Sequence, residues 1–148
     1  MRLSDAIALG RTIAKAVPEE LSNHRGDEAC ALGMAGLACG LSGWELHNPE
    51  FTFCGAKIEA DSHYDLIYER WPWLKNQTSS KFPCGCVVLG EELFDEVVMH
   101  LFDVHIFNRK DWTLDQLIDW VRSVEPQEAP AEAESRTPAA PAMALAKG

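Results

Sequence analysis

The chain has 148 residues, 47% of them hydrophobic, and its 23 acidic against 13 basic residues give a formal net charge of -10. This length suits one small domain with a modest core. Nucleic-acid backbones are bound mainly through Lys and Arg, so the charge disfavours a nucleic-acid partner.

The cysteine count and the hydropathy pattern bear on the compartment. The chain begins without the basic and apolar pattern of a signal peptide, and its longest small or apolar run, Ala29 to Leu41, is too short to span a bilayer. The five cysteines are Cys30, Cys39, Cys54, Cys84 and Cys86. An odd number of cysteines without the regular spacing of a disulfide framework favours metal ligands and buried thiols over disulfides. We therefore predict a cytoplasmic protein that does not associate with membranes.

The first predicted helix begins at a Ser4 cap, carries Asp5 in its first turn and extends to Val17, where Pro18 closes it. Its apolar residues recur at helical spacing, which predicts one core-facing side.

A second helix is predicted from an Asp27 cap to Cys39, before Gly40. It contains Gly33 and Gly36, and glycine inside a helix costs roughly 1 kcal/mol relative to alanine. The two glycines therefore predict close approach of a neighbouring backbone, with Gly10 of the first helix as a counterpart.

The middle of the chain is less regular. The segment from Phe51 to Phe53 fits a short strand or an anchored loop, and Ser62 opens a short helix that Pro72 stops. Trp71 and Trp73 flank that proline. We predict that they pack against the core, with an exposed partner-binding anchor as the alternative.

The segment 81–106 holds the strongest chemical signal. Cys84 and Cys86 are separated by one glycine, and His100 and His105 follow on a predicted amphipathic helix. Two thiolates and two imidazoles match a closed tetrahedral zinc site, so these four residues are predicted to bind structural Zn²⁺ in a zinc-finger-like ββα element. The alternative is two ordinary buried thiols with histidines at a helix edge and helix end.

The ligand spacing makes specific geometric demands. Five steps of a regular α-helix turn about 500°, which leaves His100 and His105 about 140° apart. The helix must therefore widen, or end before His105, for both rings to reach one ion. Gly85 suits the tight cysteine turn, and Asp103 could either orient an imidazole or be solvated.

A final helix begins near Trp112. Thr113 and Gln116 form a capping box, while Trp112 and Leu117 occupy the staple positions. The predicted buried stripe consists of Leu114, Leu117, Ile118 and Val121.

Residues 125–148 differ in composition. They hold four prolines and, between Ala129 and Ala146, eight alanines, with Met143 and Leu145 as the only large apolar residues. Such a segment cannot offset its ordering entropy, so we predict a domain at 1–124 and a disordered tail at 125–148. The tail serves either as a solubilising segment or as a tethered docking peptide.

Several short motifs carry a resemblance. They are LSDAIALG, CALGMAGLACG, WPWL, the cysteine pair and HLFDVHIFNRKDWTLDQLIDWVRSVE. Together they resemble a group of small, uncharacterised proteins encoded by bacteria and their phages, which carry a Cys-x-x-Cys pair, a His-Leu-Asn-Asp-x-His-like element and a Trp-led final helix. This chain departs from that pattern at Cys84-Gly85-Cys86 and at Phe102, which replaces the usual Asn. The resemblance implies no particular activity.

These features predict a mainly α fold with minor β structure and a non-enzymatic, zinc-stabilised interaction or accessory protein with a protein partner. No small-molecule substrate is indicated. One alternative is a cysteine-dependent enzyme, whose candidate nucleophiles and bases are Cys30, Cys54, His24, His47 and His63. In such an enzyme, the position of Cys30 at the N-terminus of a helix would lower the pKa of its thiol.

The other alternative is a zinc finger that binds nucleic acid. It is disfavoured because the segment between the ligands is acidic and has no Lys or Arg. Its acidic residues are Glu91, Glu92, Asp95 and Glu96.

Overall fold

The computed structural model of the chain describes residues 1–47, 63–88 and 90–126. These residues are mainly helical, which confirms the predicted fold class. The helices are α1 (Leu3–Gly10), α2 (Ala31–Ala38), α3 (Gly43–His47), α4 (His63–Arg70), a 3₁₀ helix (Pro72–Lys75), α5 (Phe94–Met99), a π-helix (His100–Arg109) and α6 (Leu114–Val124). The strands are β1 (Lys15–Ala16), β2 (Glu28–Ala29), β3 (Thr78–Ser79) and β4 (Glu92–Leu93). Strands β1 and β2 pair in parallel, and β3 and β4 pair antiparallel.

Helix α1 is shorter than the sequence predicts. It ends at Gly10 rather than Val17, and its N-cap is Arg2, so the predicted Ser4 cap is wrong. The reason is tertiary, because the chain beyond α1 pairs with β2. The Lys15 N–H donates to the Asp27 carbonyl at 2.8 Å. Pairing with a distant segment thus outweighs helix propensity in this stretch.

Glycines let the α1 and α2 region pack at backbone distance. A Cβ at Gly10 would lie 2.0 Å from the Met34 carbonyl oxygen, and one at Gly33 would lie 1.5 Å from the Leu21 carbonyl oxygen. Neither position has room for alanine. The prediction of close approach is confirmed at Gly10 and Gly33, whereas Gly36 faces side chains.

Helix α2 begins later than predicted, and its N-cap is Cys30 rather than Asp27. The Asp27 carboxylate instead accepts hydrogen bonds from Asn23 and Arg25 in the preceding turn. Every residue from Ala31 to Gly36 is buried, which explains why this helix lacks a polar face.

Among the described residues, no helix has the length and apolar character needed to cross a bilayer.

The two tryptophans beside Pro72 pack inward, as predicted. Trp71 is buried, and its indole N–H donates to the Met1 carbonyl at 3.0 Å. Trp73 is partly buried and meets the Phe94 ring edge-on at 5.0 Å between centroids. The predicted strand or loop at Phe51–Phe53 lies outside the described residues.

Helix α6 begins with the predicted capping box. The Thr113 N–H donates to Gln116 Oε1 at 2.8 Å, and the Gln116 N–H donates to Thr113 Oγ1 at 3.1 Å. Leu117, Ile118 and Val121 are buried, which confirms most of the predicted stripe.

Glu125, the first residue of the predicted tail, packs against the N-terminus of α1. Its side chain is 2% exposed, and Oε1 accepts the Ser4 N–H at 3.1 Å while Oε2 accepts the Ser4 hydroxyl. Arg2 Nε lies 3.7 Å from the same carboxylate. A carboxylate at the N-terminus of α1 meets unsatisfied N–H groups and a favourable helix dipole. The rest of the predicted tail, 127–148, lies outside the described residues.

Replacing Glu125 by Gln should therefore destabilise the fold. The amide cannot accept hydrogen bonds through both terminal atoms, so one buried Ser4 donor loses its partner, at a cost of about 1–3 kcal/mol. Urea unfolding measures this loss. The matched control is Glu69→Gln on the exposed surface of α4, and an equal effect of the two substitutions would contradict the capping role of Glu125.

Candidate metal centre

A ββα element is present, although its first strand, β3, lies just before the predicted segment 81–106. Strands β3 and β4 pair through Thr78 with Leu93 and Ser79 with Glu92, and α5 begins at Phe94 directly after β4. The cysteines lie in the connection between the two strands, which we call the cysteine loop (80–91). Strand pairing closes this loop at its base and places it beside the helix that carries the histidines.

Gly85 shapes the turn between the two cysteines. Its φ angle is +90°, and its N–H donates to the Phe82 carbonyl at 3.0 Å. An added Cβ would meet nothing within 4 Å, so the requirement is conformational rather than steric. Residues other than glycine rarely adopt this backbone conformation, which confirms the prediction for Gly85.

The helix widens where the histidines require it. Helix α5 passes at His100 into the π-helix, in which hydrogen bonds join residues five apart. His100 and His105 are five residues apart and therefore project from the same side. Their ring centroids lie 5.1 Å apart. Of the two geometric solutions that the spacing allows, the structure adopts the widened helix.

The four predicted ligands converge. Cys84 Sγ lies 3.4 Å from His100 Nε2, and Cys86 Sγ lies 3.4 Å from His105 Nε2. All four ligand atoms lie within 4.8 Å of one another. Tetrahedral zinc with bonds of about 2.3 Å to sulfur and 2.05 Å to nitrogen separates sulfur from nitrogen by about 3.5 Å. The two sulfur–nitrogen distances of 3.4 Å match this value, and the four atoms surround a space that one small ion could occupy.

Asp111 orients the more deeply buried imidazole. His105 is 2% exposed, and its Nδ1 lies 2.9 Å from Asp111 Oδ1. The hydrogen bond from His105 lowers the pKa of Asp111 and leaves the imidazole Nε2 facing the sulfurs. The sequence left open whether Asp103 orients an imidazole or is solvated, and in the structure Asp103 accepts the Glu19 N–H at 3.3 Å. Asp111 lies two residues after the end of the π-helix that carries His105, and this proximity in sequence was the available signal.

Asp111→Asn should weaken metal binding because it removes the charge that supports the His105 imidazole. Loss of such a partner typically costs about 10–100-fold in affinity. Competition with a chromogenic zinc chelator measures the change. Asp103→Asn is the matched control on the same segment, and weakening by both variants alike would contradict the assignment.

The local environment also affects protonation in the cluster. Burial, and then the neighbouring His105 and Arg109, lower the pKa of His100, which keeps this imidazole neutral and able to coordinate. The Phe82 ring stacks on His100 at 4.3 Å. Burial and the Cys86 thiol raise the pKa of Cys84. A dication would displace the Cys84 proton, because metals bind the thiolate.

The cysteine-enzyme alternative loses its main physical support. Cys30 is only 1% exposed, and desolvation raises its pKa to about 12. The expected lowering by a helix N-terminus is therefore wrong, because burial outweighs the nearby N–H groups. His24 and His47 form a ring pair at 3.9 Å near the surface. Cys54 and the His63 side chain lie outside the described part of the chain.

Fold and site together define a small helical protein that carries a Cys₂His₂ cluster on a ββα element. No protein-family model, curated protein or solved structure matches the chain. The resemblance to small bacterial and phage-encoded proteins stays a prediction.

Proposed function

We propose that Cys84, Cys86, His100 and His105 bind one structural Zn²⁺ and that the protein is a non-enzymatic, zinc-stabilised interaction protein. The observation that carries this proposal is the convergence of the four ligand atoms to within 4.8 Å of one another. Two separate thiol–imidazole hydrogen bonds would explain the Cys84–His100 and Cys86–His105 contacts. They would not require these two pairs to lie around one common point.

The donor set favours zinc. Two thiolates neutralise a dication, two neutral imidazoles complete four-coordination, and soft sulfur ligands disfavour Mg²⁺ and Ca²⁺. A reducing cytoplasm would keep Cys84 and Cys86 available as thiolates. This chemistry supports the cytoplasmic location expected from the cysteine count.

A structural role follows from the number of ligands. With four protein ligands, no coordination position is left for a reactive water, which disfavours catalytic zinc. The ion would instead join the cysteine loop to the π-helix. The described residues of that loop form no helix or strand between β3 and β4, so a metal cross-link would add order to a segment without regular secondary structure.

The surface supports an interaction role. Val87, directly after Cys86, is 81% exposed, so the metal site would hold an apolar side chain out towards a partner. The net charge of -10 disfavours binding to nucleic acid. The basic side chain of Arg109 is also partly neutralised, because its Nε lies 3.7 Å from Asp111 Oδ2. We therefore propose a protein partner. On the basis of the resemblance to small bacterial and phage-encoded proteins, we propose that the protein is an accessory factor in a bacterial or phage assembly.

Metal analysis of the purified protein tests the site. We expect one zinc per chain, and we expect the cobalt-substituted protein to show the strong visible absorption of a tetrahedral thiolate site. Cys84→Ser should reduce the zinc content and weaken this absorption. Cys39→Ser, at a half-buried cysteine outside the cluster, should leave both unchanged. A wild-type protein without stoichiometric zinc would overturn the proposal.

A further inference from the structure

A groove lies between the cysteine loop, β3 and α6. It has a volume of about 480 Å³, and its apolar lining comes from Phe82, Pro83, Phe94, Trp120 and Val124. Phe94 and Trp120 stack in parallel at 4.8 Å between ring centroids, which gives the groove a rigid aromatic wall. Such a surface takes up an aliphatic or thioether side chain.

The rim of the groove is polar. Gln77, Thr78, Ser79 and Lys81 line its other side, where β3 runs. Strand β3 pairs with β4 along one edge only, within the part of the chain that the structure describes. An extended peptide could therefore lie along β3 while its apolar side chains enter the groove.

We propose that this groove is the docking site of the chain's own C-terminal segment, through Met143 and Leu145. This proposal goes beyond the zinc-stabilised interaction role. Val124 lines the groove, is 38% exposed and ends α6, so the segment that carries Met143 starts at the rim. Glu125, held by Ser4, anchors the start of that segment.

Residue spacing supports this occupant. Met143 and Leu145 are the first large apolar residues after Val124, and residues two apart project to the same side of an extended peptide. Met143 lies nineteen residues after Val124 (143 − 124), and a linker of that length reaches about 25 Å. Tethering then supplies a millimolar effective concentration, so two apolar anchors suffice.

NMR of the full-length chain tests the proposal. The double substitution Met143→Ser with Leu145→Ser should shift the backbone amide signals of Phe82, Phe94 and Val124 and the indole signal of Trp120. The control substitutes Ala140→Ser and Ala142→Ser in the same segment and should leave these signals in place. Conversely, Val124→Glu should shift the methyl signal of Met143, whereas Leu9→Glu, at an exposed leucine away from the groove, should not.

The outcomes separate the possible occupants. Groove signals that move with the double substitution and stay constant over a tenfold range of protein concentration support docking within one chain. Signals that change with concentration would assign the groove to a second copy and overturn the proposal. Groove signals that ignore the double substitution would also overturn it, and would leave the groove to a separate partner protein.

Discussion

Removal of the proposed zinc ion should lower the melting temperature by about 10 °C and disorder the cysteine loop. Structural zinc contributes about 10–16 kcal/mol in zinc-finger peptides. If only about 3 kcal/mol of such binding energy stabilises this domain, the melting temperature changes by about 10 °C. Scanning calorimetry with and without a strong chelator measures the difference. The chelator should have no effect on a variant that has already lost the metal.

A double-mutant cycle distinguishes a shared ion from separate hydrogen bonds. Cys84 contacts His100, and Cys86 contacts His105, so Cys84 and His105 belong to different pairs. If all four bind one ion, Cys84→Ser and His105→Ala each release it, and the double variant should be little less stable than either single variant. Two independent hydrogen bonds would instead give additive losses. Additivity within about 0.5 kcal/mol would therefore contradict the metal site.

Gly33→Ala should strongly destabilise the fold, although it adds only one methyl group. That methyl group would lie 1.5 Å from the Leu21 carbonyl oxygen, a distance that only movement of the backbone can relieve. Overpacking of a tight core costs about 1–3 kcal/mol, and a clash with backbone should reach or exceed the upper end of this range.

Urea unfolding of Gly33→Ala measures this cost, and Gly90→Ala is the control. A Cβ added at Gly90 would meet nothing within 4 Å, so alanine should be accommodated there. A loss below about 1 kcal/mol for Gly33→Ala would contradict the close approach of the two backbones.

Local residue patterns were sufficient for several features. The Thr113–Gln116 capping box acts within one helical turn, so it forms wherever that turn forms. The Cys₂His₂ cluster was also predictable from the sequence, because residue type and spacing indicate which side chains could share one metal ion. Even the widening of the helix between His100 and His105 follows from counting residues around an axis.

Tertiary structure alone decided the features that depend on partners far along the chain. Helix α1 ends at Gly10 because the following residues pair with β2, and Ser4 is satisfied by Glu125, 121 residues away. Burial of Cys30 reversed the pKa shift that its helix position suggested. In each case the stability of the local structure or of the charged group depends on which backbone, carboxylate or apolar surface packs against it. Residue spacing within the sequence does not identify that neighbour.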